Sequence, residues 1–195
     1  MDMDVKELVP EKIAGYCALL APLVGYVLIT FSIAMNADFT LSDNALSDLG
    51  EAGVRNSNVF NIALIASGIL FFVFILGMLR RAETRVGDIG LTGVALGAVF
   101  LVLTGIFQKG TVLHSPMAIL FYSLSVGGLI IYGLDKFLEF EPVWSVLIWS
   151  SIGFAAVSIG LVSILSPSGI AIYEIIGTIP LMQFSLVFGT QLLTD

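Results

Sequence analysis

An all-α, polytopic membrane bundle of six transmembrane helices is the fold class this sequence predicts, and three observations predict it. Apolar stretches run roughly over 13–35, 58–79, 89–107, 116–134, 143–165 and 169–193. Each is close to the ~20 helical residues that cross a hydrocarbon core about 30 Å thick. Hydrophobic residues make up 57% of the chain and charged residues 12%, against roughly 25% charged in soluble domains. The mean hydropathy is +1.03. The longest polar connection, about 36–57, is too short to bury a core of its own, so residues 1–195 read as one integral membrane domain.

The elements follow in order. The N-terminal MDMDVKELVPEK is acidic and precedes a long apolar run. That is unlike a signal peptide, with its basic start and short apolar core, and it predicts a retained first helix. Cys17, the only cysteine, falls inside that helix, so no intrachain disulfide can form. Asn56 and Ser57 before the second span and Asp88 before the third are expected helix caps. Pro116 and Pro142 are expected at the first helical position of spans four and five, where a missing N–H is harmless. Ser166–Gly169 reads as a tight turn pairing spans five and six antiparallel. Pro22 and Pro180 are expected to kink the first and last spans.

Small residues recur four apart at Ala21/Gly25, Gly93/Gly97, Ala156/Gly160 and Ser185/Gly189. Such pairs let helix backbones approach where lipid supplies no hydrophobic drive. Packing within the bundle is the first expectation for them. A homodimer through the Gly93/Gly97 face is the sharper alternative.

Basic residues near span ends orient a membrane protein. Lys6, Lys12, Arg80, Arg81, Arg85 and Lys136 fall on one side, against Arg55 and Lys109 on the other. Both termini are therefore expected in the cytoplasm of a cell-membrane protein, with the first, third and fifth connections outside. The net charge of −7 gives no electrostatic reason for nucleic-acid binding. No polybasic patch points to anionic headgroups. Membrane lipid is the expected partner.

The first outer connection carries Leu41-Ser42-Asp43-Asn44-Ala45-Leu46-Ser47-Asp48-Leu49-Gly50. At about 100° per residue, Leu41, Ala45, Leu46 and Leu49 share one side and Asp43, Asn44, Ser47 and Asp48 the other. A short amphipathic helix is expected, capped by Ser42 and ended by a left-handed Gly50. It either lies at the interface or closes over a pocket. Ala45 falls where a calcium loop needs oxygen, so no metal site is expected, and no cofactor.

His114, the single histidine, is expected at the outer start of span four. It serves there as a hydrogen-bonding residue or as an acid or base. Glu174 lies about a turn and a half into span six, where an ionisable group usually faces a cavity or a partner; Lys109, His114 and Arg55 are the candidates. Asn58 and Asn61 begin span two on the same side. Asp43, Asn44, Ser47, Asp48, Asn61, Lys109, His114 and Glu174 are thus the candidate ligand-binding residues. At the inner end, Arg80, Arg81, Glu83, Arg85, Asp135, Lys136, Glu139 and Glu141 read as solvated loops.

Asn44-Ala45-Leu46-Ser47-Asp48-Leu49-Gly50, then Val59-Phe60-Asn61 leading into a Gly-bearing apolar helix, resembles a family of prokaryotic six-helix membrane proteins known as domain of unknown function 998. Gly105-Ile106-Phe107 followed by Leu113-His114-Ser115 and a Phe-rich helix is similar to it as well. The resemblance covers nearly the whole chain. Gln108-Lys109 departs from it, standing where the family often has proline or an acid. It implies that Asn44, Ser47, Asp48, Asn61 and His114 belong to one feature, and no settled activity comes with it.

Three functions are consistent with these residues. The first is binding of a lipid or small amphiphile, or an accessory role in the membrane, through the outer polar cluster. The second is a lipid hydrolase in which Asp48 orients His114 as base and Ser47 or a water is the nucleophile. The third is transport of a small solute, against which stands the absence of a half-to-half repeat.

Overall fold

The computed structural model describes residues 8–165 and 168–194. Among these, the fold is six helices: α1 Glu11–Ala34, α2 Ser57–Met78, α3 Arg85–Ile106, α4 His114–Leu138, α5 Pro142–Leu165 and α6 Ala171–Thr194. All six are long and apolar enough to cross a membrane, and the protein is a multi-pass integral membrane protein. Consecutive helices pack side by side, and α6 closes the ring against α1. The start of α1 and the end of α6 lie at one end of the bundle, here the termini end. The 35–56 connection covers the opposite, distal end.

The helix boundaries differ from the apolar runs mostly at the termini end. There α3 begins at Arg85, capped by Thr84, whose Oγ1 accepts from the N–H groups of Val86 and Gly87 at 3.1 Å; Asp88 is inside the helix. α4 begins at His114, which puts Pro116 third in the helix, while Pro142 does open α5. Asn56 precedes α2 with φ 56° and makes no side-chain cap. Part of the expected Ser166–Gly169 turn lies outside the described residues, but α5 and α6 do pack together.

Close packing dominates the termini half. Gly15 and Gly189 bring α1 and α6 into backbone contact beside Ala18. A Cβ on Gly90 would stand 2.7 Å from the Tyr132 nitrogen, and one on Gly128 2.6 Å from the Gly90 oxygen. Gly93 and Gly97 face Gly128 and Ser125 of α4 in the same interface. The face considered for a homodimer is thus covered within the chain. Ala156/Gly160 does the reverse: Ala156 is exposed and Gly160 has open space around it. The buried residues of α5 are Ser145, Ile148, Ser151 and Ala155, so the stretch beyond Ala155, at its distal end, buries no residue against the bundle. An aromatic cluster of Phe74, Phe184, Phe188, Tyr132 and Trp144, with ring centroids 4.7–5.8 Å apart, fills the centre of the termini half.

The solvated loops expected at the termini end are only partly so. Asp135 is 1% exposed and Lys136 8%, because α4 continues to Leu138 and carries both inside. The Thr84 hydroxyl donates to Asp135 Oδ1. Lys136 Nζ lies 2.5 Å from Glu139 Oε2 and 3.3 Å from Glu141 Oε2, and 5.5 Å from the centre of the Tyr132 ring. Lys136 is thus paired, as a buried charge requires, whereas Asp135 Oδ2 is buried with no hydrogen-bond partner among the described residues. Arg81 forks onto Glu11 at 3.1–3.3 Å.

Proline shapes the transition between halves. Pro22 has no N–H to offer the Ala18 carbonyl one turn earlier. The Ser185 hydroxyl of α6 donates to that carbonyl instead, at 2.6 Å. A polar side chain thereby satisfies the backbone group that proline frees, as lipid surroundings require. Beyond this point α1 and α6 are bridged by Tyr26 and Thr178, and the distal half encloses a cavity.

Candidate functional site: a cavity with one polar end

The cavity measures about 210 Å³ and lies among α1, α2, α3, α4 and α6 in the distal half. Pro22, Ile29, Phe60, Phe71, Phe121 and Met182 are part of its mostly apolar wall. Its size exceeds the roughly 150 Å³ apolar cavity that accommodates benzene. Thr30 is exposed yet lines the cavity. One turn below it, Tyr26 bonds to Thr178 of α6 at 2.6 Å. The cavity therefore reaches the bundle surface at Thr30, near the distal end of α1.

The 35–56 connection forms the roof. The expected helix over Leu41–Leu49 shrinks to a 3-10 turn, Leu46–Gly50. Ser42 does not cap it; Asp48 Oδ2 accepts from the Ala45 N–H at 2.8 Å instead. Leu41 is 42% exposed, so the apolar face is Ala45, Leu46 and Leu49 alone. A tighter turn suits the task, since Leu46, Leu49, Phe60 and Ala171 form a separate small core that docks the roof on α2 and α6. Gly50 is not left-handed. It is glycine because a Cβ would stand 2.5 Å from Asn61 Oδ1 and 2.7 Å from Phe60. Asn61 Nδ2 donates to the Gly50 carbonyl at 3.0 Å in a buried setting.

The candidate residues divide into three groups. Ser47, His114 and Glu174 line the cavity. Asp48 and Lys109 form an ion pair at 3.5 Å beside the roof, each one-third exposed. Asn61 supports the roof from α2. Asp43 and Asn44 lie apart from the cavity and clasp the roof to α6. Asp43 accepts from Thr40 at 2.6 Å, from Ser42 at 2.9 Å and from Ser168 at 2.7 Å. These hydroxyls, Thr40 foremost, hold its carboxyl below the usual carboxylate range. Two backbone bonds complete the clasp: Gly169 N–H to Ser42 O at 2.7 Å and Ala171 N–H to Asn44 O at 2.9 Å.

Glu174 makes no direct ion pair or hydrogen bond with the expected Lys109, His114 or Arg55 among the described residues, although Lys109 is near enough to act on it through space. Its Oε2 accepts from the Leu46 N–H at 2.6 Å, which pins the roof to α6. His114 Nδ1 lies 2.8 Å from the Phe107 carbonyl. A carbonyl only accepts, so Nδ1 carries the proton and Nε2 of the neutral ring is left as an acceptor. Asp48 and His114 make neither a hydrogen bond nor an ion pair with each other, the carboxylate being held by Lys109 and the Ala45 N–H. The base-orienting pair of the hydrolase reading is not assembled. Among the described residues no group of three or more His, Cys, Asp or Glu is placed to hold a metal.

Sequence reasoning missed the hydroxyl groups deeper in the cavity: Tyr26, Ser67, Thr104, Tyr122 and Thr178. The signal was present as single polar residues inside otherwise apolar windows. Tyr122 ties α4 to α6 by donating to the Glu174 carbonyl at 3.0 Å.

A family model matches residues 19–191, from the middle of α1 almost to the end of α6. The chain belongs to the family described as protein of unknown function, DUF998. No curated protein and no solved structure matches it. Family membership thus covers the bundle, the roof and the cavity together, and carries no activity with it.

Proposed function

We propose that this DUF998 protein binds a membrane amphiphile, taking part of its apolar chain from lipid into the distal cavity while the polar head meets Ser47, His114 and Glu174. The observation that carries this reading is the cavity itself: mostly apolar walls inside a membrane bundle, an opening to the surface at Thr30, and Ser47, His114 and Glu174 in its lining. Ligand sites share this pattern of apolar lining with a few placed polar groups. The volume is below the roughly 300–1,000 Å³ of sites that engulf a whole drug-sized ligand. It suits a segment of chain, with the remainder left in the bilayer.

The test uses the full chain in phosphatidylcholine nanodiscs and a twelve-carbon alcohol with a photoreactive group at mid-chain. Labelling of Tyr26, Phe71 or Met182 is expected, and Ala118→Phe, which fills the cavity from α4, is expected to remove it. Equal labelling of the variant, or labelling confined to the lipid-facing side of α1, would sink the reading.

The basic-residue count favours a cavity that faces the outer leaflet, with both termini in the cytoplasm. A reporter fused after Asp195 checks this, and activity outside the cytoplasm overturns it.

A further inference from the structure

The polar groups that line the cavity have a definite hydrogen-bonding sense. Tyr122 donates its proton to the Glu174 carbonyl and Thr104 to the Phe100 carbonyl at 2.7 Å. Thr178 donates to Ile175 O at 2.7 Å, so the Tyr26 hydroxyl is the donor in its bond to Thr178. Each of these four oxygens, its proton engaged, has only lone pairs left to offer, and Thr178 already shares one with Tyr26. His114 Nε2 adds another acceptor. Glu174 adds a carboxylate with one oxygen, Oε1, free of any partner among the described residues. The hydroxyls of Ser47, Ser67 and Thr30 can still donate, but no lysine or arginine lines the cavity. The nearby cation, Lys109, is paired with Asp48.

An acceptor-rich wall with one carboxylate and no cation calls for a donor of opposite charge. A carboxylate held in a low-dielectric site gains most from a partner that is both charged and hydrogen-bonding. Phosphate and carboxylate heads meet repulsion from Glu174 there, and the charge of the nearby Lys109 is already engaged by Asp48. Resting on the amphiphile reading above, we infer that the ligand is a single-chain amphiphile with an ammonium head, its N–H donors directed at Glu174 Oε1 and His114 Nε2.

Competition against the photoreactive alcohol tests this, with unlabelled dodecylamine, dodecanol and dodecyl phosphate as probes in the same nanodiscs. Charged hydrogen bonds exceed neutral ones by roughly 1.4 kcal/mol, a factor of about ten. Dodecylamine is therefore expected to compete at about tenfold lower concentration than dodecanol, and dodecyl phosphate not to compete. Glu174→Gln keeps an oxygen for the Leu46 N–H and is expected to bring amine and alcohol within about twofold of each other. The wild-type ranking of heads stands as a test even if that variant folds poorly. Equal potency of alcohol and amine, a preference for phosphate, or an amine preference that survives Glu174→Gln overturns the ammonium assignment and leaves the cavity reading intact. Failure of all three probes to compete overturns both.

Discussion

The two halves of the bundle solve the same problem in opposite ways. At the termini end, helices touch through glycine and alanine, and the space between them is filled by aromatic rings. At the distal end α2 and α3 stay in backbone contact at Gly105, while α1, α4 and α6 surround a cavity and are linked by side-chain bonds such as Tyr26–Thr178 and Tyr122–Glu174. Lipid offers no hydrophobic drive for helix association, so close contact must come from small residues and separation must be held by polar bridges. The lesson is that the packed half supplies the rigidity and the bridged half the room. Pro22, with its carbonyl partner satisfied by Ser185, stands where one gives way to the other.

Adjacent glycines of α4 break the comparison most directly. Gly128 abuts the α3 backbone, whereas Gly127 has nothing within 4 Å. Gly128→Leu is expected to cost about 3 kcal/mol or more, by overpacking against a backbone that cannot move aside. Gly127→Leu is expected to be close to neutral. Thermal unfolding followed by size-exclusion chromatography checks the pair; similar losses in both variants would contradict the small-residue account.

Next in size is Asn61, the buried support of the roof. Asn61→Leu removes the bond to Gly50 O and leaves that carbonyl unsatisfied, at a cost of roughly 1–3 kcal/mol. Hydrogen exchange is expected to quicken over 45–51 while the termini half keeps its protection. Uniform quickening would show that the halves are not separable.

The smallest effect concerns pH. The Asp43 carboxyl is held below its usual range by three hydroxyl donors, so its folded value lies below its unfolded one. The contribution of the clasp is present above the ordinary carboxylate range near 4 and is lost as pH falls through the lower folded value. Protease cleavage of the 36–44 segment is expected to rise on acidification in the wild type. In Asp43→Asn it is expected to be higher at neutral pH and flatter toward acid. An unchanged profile in the variant would remove Asp43 from the clasp.

Much of this was legible in the residues themselves. Six helices follow from run length and composition alone, because hydrocarbon thickness and the need to satisfy every backbone group leave no other fold for such segments. Glu174 was legible too, because an ionisable group inside an apolar span is costly enough to stand out, while Ser47 and His114 stood among eight candidates of which these three line the cavity. The helix over Leu41–Leu49 was not: its periodicity was real, but docking of Leu46 and Leu49 onto Phe60 and Ala171 favours a shorter, tighter turn. The burial of Asp135 and Lys136 was equally hidden, since a charged helix end reads the same whether it meets water or a neighbouring Thr84.

The sequence by itself determined the number of crossings, the membrane setting and the short set of polar residues in need of partners. Those are properties of single segments against a fixed solvent. Only the tertiary structure decided that Asp48 pairs with Lys109 rather than His114, that Glu174 holds the roof, and that α5 leaves the cavity to the other five helices. Partner choice depends on which faces the close-packed half turns toward one another, and no single segment carries that information.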